Sequence, residues 1–274
     1  MPSATPTAME LSTASTPTSD RTFLAGAALL FATSAVLTIL WCTSMPAIGM
    51  LMPGGWTMSM TWMHMPGQTW PRATSSFLGM WDLMMVAMML PSLAAMLTRY
   101  RGAVGSAAQP RLGGLTALVG LGYFAVWTAF GLAIFPLGIA LATAEMQHPA
   151  LARAVPSAAG AVVLLAGLLQ FTGWKTRHLT CCRESPGPGC KLPPLPAAAW
   201  KHGLLLGLHC SRCCIGLIAA LLVLGVMDLR AMAAVTAAIT LERLATDSRR
   251  VARAIGAVAV VTGLLLIVQA RVLG

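Results

Sequence analysis

Long apolar runs are the feature that most limits how this chain can fold. Seven stretches of 18 to 27 residues are dominated by apolar side chains, and a helix of about 20 such residues crosses the hydrocarbon core of a bilayer. Only 9% of the residues are charged, against about 25% in a soluble domain. The sequence therefore predicts an all-α, polytopic bundle of about seven transmembrane helices, forming a single domain over residues 21–274 in a lipid bilayer. The predicted spans are residues 22–42, 77–98, 115–141, 157–174, 203–226, 228–246 and 252–272.

The N-terminal segment differs from the rest of the chain. Residues 1–20 are rich in Ser, Thr, Pro and Ala and show no hydrophobic periodicity, which is typical of a disordered tail. The first apolar run is long for a signal-peptide core, and only Arg21 precedes it as a basic residue. The sequence therefore favours an uncleaved first span, with a removed signal peptide as the alternative.

The basic residues predict an orientation. If the N-terminus lies inside, the inner segments carry thirteen of the Lys and Arg residues and the outer segments carry four. Such a bias is what the positive-inside rule requires. We therefore expect the N-terminus inside and the C-terminus outside, in a membrane such as the bacterial inner membrane. The net charge of +10 does not indicate nucleic-acid binding, because no basic tract is interleaved with aromatic residues.

A cluster of cysteines on the fifth predicted span is the sharpest motif. The segment HCSRCC at residues 209–214 places its His and three Cys within an arc of about 140° on one side of a helix. Thiolate and imidazole are ligands for Cu(I) and related metals. One Cys in a membrane span is usually a packing residue, but three beside a His and an Arg favour metal binding. The candidate ligands on this span are His209, Cys210, Cys213 and Cys214.

Methionines provide a second group of soft ligands. The second predicted span carries four of them in an arc of about 140°, although a packing stripe is an equally good explanation. The predicted outer loop between the first two spans is also rich in Met. The candidate residues on the second span are Met84, Met85, Met88 and Met89. The candidates in the outer loop are Met58, Met60, Met63, His64 and Met65.

The predicted inner side carries further candidates. The loop of residues 175–202 contains His178, Cys181 and Cys182, whose imidazole and thiols could receive a soft metal. Glu242 lies near the inner end of the sixth predicted span, and an ionisable residue inside a span is functional by default. Glu242 could be a metal ligand, a proton acceptor for a thiol, or the ion-pair partner of Arg212.

These motifs resemble the family of predicted metal-binding integral membrane proteins known as the domain of unknown function 2182. The resemblance covers roughly residues 77–260, and its most specific part is the Cys-x-x-Cys-Cys span. The chain departs from the family pattern with Arg212 for Gly, Ile215 for Trp, Arg243 for Lys and His178 for Cys. The resemblance implies a metal-binding membrane protein, and Arg212 would place a cation beside the thiolates. The matching residues are Trp81, Met84, Ala87, Met88, Met89, Pro91, Gln170, Lys175, Cys182, Arg183, Gly207, Cys210, Cys213, Cys214, Met227, Leu229 and Glu242.

The sequence favours a non-enzymatic protein that binds a soft metal, with copper(I) the first expectation and another soft or transition metal the alternative. Outer methionines would collect the ion, the two helix faces would hold or pass it, and the inner cysteines would receive it. Transport, delivery and storage all remain open, with a metal donor or acceptor protein or a membrane subunit as partner. Two other hypotheses are a membrane-bound metal-dependent or thiol oxidoreductase, and an assembly subunit that binds no metal.

Overall fold

The structure is a computed structural model, and it describes residues 18–44, 50–53, 55–59, 62, 67–104, 111–187 and 191–273. Over these residues the chain forms eight helices and one short strand pair, which confirms the predicted all-α bundle. The helices are α1 (Thr18–Ser44), α2 (Trp70–Val104), α3 (Leu112–Gln147), α4 (Pro149–Leu169), α5 (Gly173–Glu184), α6 (Pro196–Leu224), α7 (Leu229–Leu244) and α8 (Ser248–Leu273). The antiparallel strands are β1 (Met50–Leu51) and β2 (Thr57–Met58).

Six of the described helices are long and apolar enough to cross a membrane: α1, α2, α3, α4, α6 and α8. Helix α7 is not among them, because its 16 residues extend only about 24 Å and the hydrocarbon core is about 30 Å thick. The predicted count of about seven spans is thus one higher than the number of helices that meet this criterion.

Local signals at both ends of α7 explain its length. Gly225 ends α6 with a positive φ of 126°, a conformation that glycine adopts readily. Asp228 then caps α7, since its Oδ1 accepts hydrogen bonds from the backbone N–H groups of Arg230 at 2.7 Å and Ala231 at 3.0 Å. The helix ends at Leu244, and α8 begins four residues later.

Two predicted boundaries differ from the structure. The fourth predicted span, 157–174, includes a break, because α4 ends at Leu169 and α5 starts at Gly173 after Thr172 Oγ1 caps it. The predicted inner loop therefore contains a helix of 12 residues. Helix α1 begins at Thr18, inside the predicted tail, and the tail's residues 1–17 lie outside the described part of the chain.

Helices α2 and α6 form the buried centre of the bundle, since more of their length is buried than that of the other candidate spans. Helix α3 packs against both, and α4 pairs with α8. The indole of Trp81 on α2 donates to the Trp127 carbonyl of α3 at 2.9 Å. Helix α1 packs on α2, where Arg101 pairs with Asp20 at 2.8 Å. The short helix α5 lies against α6 and α7, which brings its Cys182 toward the centre.

Helices α3 and α6 approach each other closely at a pair of glycines. A Cβ atom added at Gly122 would lie 2.8 Å from the Trp200 carbonyl oxygen, and one added at Gly203 would overlap the carbonyl group of Val119. Backbone cannot yield as a flexible side chain does, so this contact requires glycine. The contact holds α6 in register with α3, and α6 carries the cysteine motif.

We expect Gly203→Ala to lower the free energy of unfolding by about 1 to 3 kcal/mol, because the added methyl overpacks the α3–α6 contact. Gly216→Ala is the matched control on α6, since its Cβ would meet only ordinary contacts, the nearest at 3.4 Å. Thermal unfolding of the purified protein in one detergent measures both. Equal stability of the two variants would contradict the close approach.

Candidate metal centre

Three thiols of α6 lie together in the centre of the bundle. Cys210 and Cys214 are fully buried, and Cys213 is 2% exposed. Cys214 is within hydrogen-bonding reach of both Cys210 and Cys213. The predicted convergence of these three residues on one side of the helix is therefore what the structure shows.

Helix α5 adds a fourth thiol to this group. Cys182 is fully buried and shares a hydrogen bond with Cys213. That hydrogen bond lowers the pKa of the Cys182 thiol below its ordinary value against the opposing effect of burial, and the cations Arg243 and Lys175 add to the lowering. The thiols of Cys182, Cys213, Cys214 and Cys210 form a continuous chain of contacts, which we call the thiol cluster.

A buried guanidinium lies against the thiol cluster. Arg243 on α7 is 5% exposed, and its Nη2 atom donates to Cys210 Sγ at 2.9 Å and to Cys214 Sγ at 3.0 Å. Its Nε has no hydrogen-bond partner among the described residues. Two thiols one helical turn apart thus converge on one positive charge. Their sulfur atoms are therefore arranged so that both can contact a single cation.

Two neutral hydroxyl groups complete the surroundings of Arg243 and Cys210. Tyr123 Oη on α3 is hydrogen-bonded to Cys210 Sγ at 2.8 Å. Arg243 Nη1 donates to Ser92 Oγ on α2 at 3.1 Å, and Ser92 Oγ donates to the Met89 carbonyl at 2.9 Å. Helices α2, α3, α6 and α7 therefore meet at this point, and all four side chains are buried.

A buried ion pair borders the other end of the thiol cluster. Lys175 Nζ on α5 contacts Glu242 Oε2 on α7 at 2.6 Å and donates to the Cys213 carbonyl at 2.8 Å. Both side chains are at most 3% exposed. The ion-pair partner of Glu242 is therefore Lys175, and not Arg212 as one of the sequence hypotheses had it. Glu242 Oε1 has no hydrogen-bond partner within the described residues.

The remaining candidates on α5 and α6 lie outside the thiol cluster. Arg212 is exposed, because it lies outside the buried face of α6. The cation beside the thiols is therefore Arg243. His209 is half-buried and interacts electrostatically with His178 of α5, whose ring packs edge-on against Trp174 with centroids 4.5 Å apart. Partial burial lowers the pKa of His178, and the nearby Arg212 and His209 lower it further. Cys181 is exposed.

The methionine face of α2 is buried in the same apolar core as the thiol cluster. Met84, Met85, Met88 and Met89 are all at most 2% exposed and share one apolar core with the cysteines. The residue of α2 that reaches the Arg243–Cys210 group is Ser92. Asp82, near the same face, accepts a hydrogen bond from Thr128 of α3 at 3.0 Å.

The predicted outer-loop candidates fall largely beyond the described residues. Met58 is described: it ends β2 and is 2% exposed in a small apolar cluster with Met52, Ala142 and Ala152. Its neighbours Ala142 and Ala152 belong to α3 and α4, so these two helices help to bury it. The candidates Met60, Met63, His64 and Met65 lie outside the described part of the chain.

The thiol cluster holds a guanidinium rather than an open metal site. Among the residues that the structure describes, no group of three or more His, Cys, Asp or Glu side chains is arranged to hold a metal ion. The donor set is nevertheless soft, because four thiols and no carboxylate face one another. A soft monovalent ion needs few such ligands, and Arg243 already supplies the positive charge that buried thiolates require.

The sequence contained weak or no signals for the residues that surround the thiol cluster, and it did not indicate what they contact. Arg243 stood out only as a replacement for the Lys of the resembling family, and Lys175 only as a matching position. Tyr123 and Ser92 carried no signal beyond being polar residues within apolar spans. The adjacent acid and base of Glu242-Arg243 were the available clue, because ionisable residues are costly inside a membrane.

We expect removal of one member of the Lys175–Glu242 pair to be much more damaging than removal of both. Lys175→Met or Glu242→Gln alone should cost about 3 to 5 kcal/mol of stability, because each leaves an uncompensated buried charge. The double variant should recover a large part of that loss in a double-mutant cycle.

The matched control for this cycle is the exposed pair of Arg250 and Asp247, whose side chains are 87% and 52% exposed at 2.9 Å. Asp247→Asn should change stability by less than about 0.5 kcal/mol. Additive losses in the Lys175–Glu242 cycle would show that the two residues do not interact.

Comparison with protein families gives one match. Residues 78–266 match the model of a family described as PpoB2, copper chaperone, which is more than two thirds of the 274-residue chain. No curated protein and no solved structure matches the chain. The matched region includes the whole thiol cluster and the methionine face of α2. The resemblance to the domain of unknown function 2182 stays a prediction, since the matching model does not carry that name.

Proposed function

Because this chain belongs to the PpoB2 copper chaperone family, we propose that it binds Cu(I) at the thiol cluster and passes the ion to another protein. The observation that carries the proposal is the convergence of Cys210 and Cys214 on Arg243 at 2.9 and 3.0 Å. Copper is the cargo of such a protein and not a fixed part of its structure.

The charges of the thiol cluster suit Cu(I). When two thiols each lose a proton and bind one Cu(I), the group acquires a net charge of −1. Arg243 neutralises that charge from within hydrogen-bonding distance, which removes much of the cost of placing thiolates in an apolar bundle. A divalent ion with the same ligands would leave a neutral group beside an unbalanced guanidinium. The site thus favours a monovalent soft ion.

The position of the thiol cluster suits transfer rather than permanent storage. Cys182 comes from the short helix α5, which is not among the candidate membrane spans. The half-buried His178 and the exposed Cys181 lie on the same helix. An ion on Cys213 therefore has a neighbouring thiol on an element that reaches the surface, and a partner protein could receive it there.

The wider setting is part of the proposal. Six apolar helices fit an integral membrane protein, and we place it in the bacterial inner membrane with its N-terminus inside, as the distribution of basic residues suggests. The partner is a metal donor or acceptor protein, or a membrane subunit that accepts copper. The thiol cluster would then lie toward the inner ends of the spans.

We expect the purified protein to bind Cu(I) in competition with a chromophoric Cu(I) chelator, and the triple variant Cys210→Ser, Cys213→Ser, Cys214→Ser to lose the ion held at the thiol cluster. Cys181→Ser is the matched control, because that cysteine is exposed beside Cys182. Copper binding by the triple variant equal to that of the unaltered protein would refute the proposed site.

Arg243 provides a second test. Arg243→Lys keeps a positive charge and should retain Cu(I) within about tenfold of the unaltered affinity. Arg243→Leu should lower the affinity by more than tenfold, because about 1.4 kcal/mol of lost charge compensation corresponds to that factor. The same chelator competition, repeated over a range of chelator concentrations, measures both. If Arg243→Leu bound copper more tightly, the guanidinium would be a competitor of the ion rather than its counter-charge.

A further inference from the structure

A second group of sulfur atoms lies between α1, α2 and the turn that joins α6 to α7. It consists of one cysteine and four methionines that surround a small cavity, and we call it the Cys42 cluster. Its members are Cys42, Met80, Met84, Met227 and Met232.

The Cys42 cluster is assembled from distant parts of the chain. Cys42 Sγ donates to Met227 Sδ at 3.8 Å across a separation of 185 residues. Met84 is 1% exposed, and Met80 and Met232 are each 6% exposed. Because three separate regions supply the sulfur atoms, helical periodicity on one span does not account for their meeting.

The cavity inside the Cys42 cluster has the size and lining of a soft-ion site. Its volume is about 10 Å³, about the space that one water-sized sphere needs. Five of its nine lining residues carry a thioether or thiol sulfur, and such atoms select Cu(I). The hydroxyl of Thr38 on the cavity wall donates its proton to the Ser34 carbonyl at 2.7 Å.

We propose that the Cys42 cluster is a second Cu(I) site, from which the ion passes to the thiol cluster; this deepens the proposed function and rests on it. Binding forms a bond between Cys42 Sγ and Cu(I), breaks the S–H bond, and releases the proton to solvent. One thiolate and one Cu(I) make a neutral group. That matches a cavity whose lining carries no charged side chain among the described residues.

The two sites are connected along one face of α2. Met84 lines the Cys42 cluster, Ser92 contacts Arg243 at the thiol cluster, and Met88 lies one turn from each. Four residues of helix rise about 6 Å, so the two sites are about 12 Å apart along α2. Met88 is 2% exposed and offers a thioether halfway. A site with mostly thioether ligands is weaker than one with several thiolates, which favours movement toward the thiol cluster.

Helix α1 contributes a ligand from outside the matched family region. Cys42 lies before residue 78, where the match to the copper chaperone family begins. Met80, Met84, Met227 and Met232 all lie within the matched region. The family region therefore supplies the thioethers, and α1 adds the single thiol that provides a negative charge.

The experiment is a count of Cu(I) per chain under chelator competition, with the intact protein in detergent. We expect two ions for the unaltered protein. Cys42→Ala with Met227→Leu should bind one, as should the triple Ser variant at 210, 213 and 214, and the five substitutions together should bind none. If the double variant fails to fold, the single change Met227→Leu replaces it, because this change conserves volume. Met227→Leu should lower the affinity for the second ion at least tenfold.

Met96→Leu is the matched control, because Met96 is a buried methionine of α2 (4% exposed) that does not line the cavity; it should keep both ions. One ion in the unaltered protein that disappears in the triple Ser variant would overturn the Cys42 site and leave the proposed function standing. One ion that survives in the triple Ser variant and is lost with Cys42 and Met227 would support the Cys42 site and overturn the thiol cluster. No bound ion in any variant would overturn both.

Discussion

The contact between Arg243 and the thiols of α6 is the interaction on which the centre of this bundle depends. A guanidinium is costly in an apolar interior unless it is paired, and here Ser92 of α2 and the cysteines of α6 accept its hydrogen bonds. Tyr123 of α3 joins the group through its hydrogen bond with Cys210. The adjacent Glu242 is neutralised by Lys175 from α5. Glu242 and Arg243, at the end of α7, therefore lie where five helices meet, namely α2, α3, α5, α6 and α7. Close glycine packing between α3 and α6 keeps the cysteines at that point.

Charge balance gives the two sulfur clusters different capacities. The thiol cluster has four thiols and a resident cation, so in the proposed function it would hold Cu(I) on two thiolates without a net charge. The Cys42 cluster has one thiol and no charged lining residue among those described, so it would balance a bound Cu(I) with one thiolate. In a membrane interior an unbalanced charge costs several kcal/mol. Neutrality is therefore a stronger criterion for a site than the number of sulfur atoms.

The helical membrane fold could be predicted from composition, and the shared face of the three cysteines of α6 could be predicted from helical periodicity. Apolar length predicted the helical membrane fold, and the spacing of Cys210, Cys213 and Cys214 predicted that they share a face. The predicted span 228–246 is not among the six candidate spans, because the Asp228 cap and the end of the helix at Leu244 leave it only 16 residues long. The burial of Met58 could not be predicted, because it depends on Ala142 and Ala152, which lie far away along the chain.

The sequence by itself determined which residue types face one another on a single helix, because 3.6 residues per turn is a local property of the backbone. It thereby established the thiol face of α6, the methionine face of α2 and the apolar surroundings of both. Only the tertiary structure decided which cation meets the thiols, which acid meets Lys175, and that Cys42 meets Met227. Those contacts join residues 29 to 185 positions apart, and the helix packing that brings them together depends on shape complementarity among all the helices.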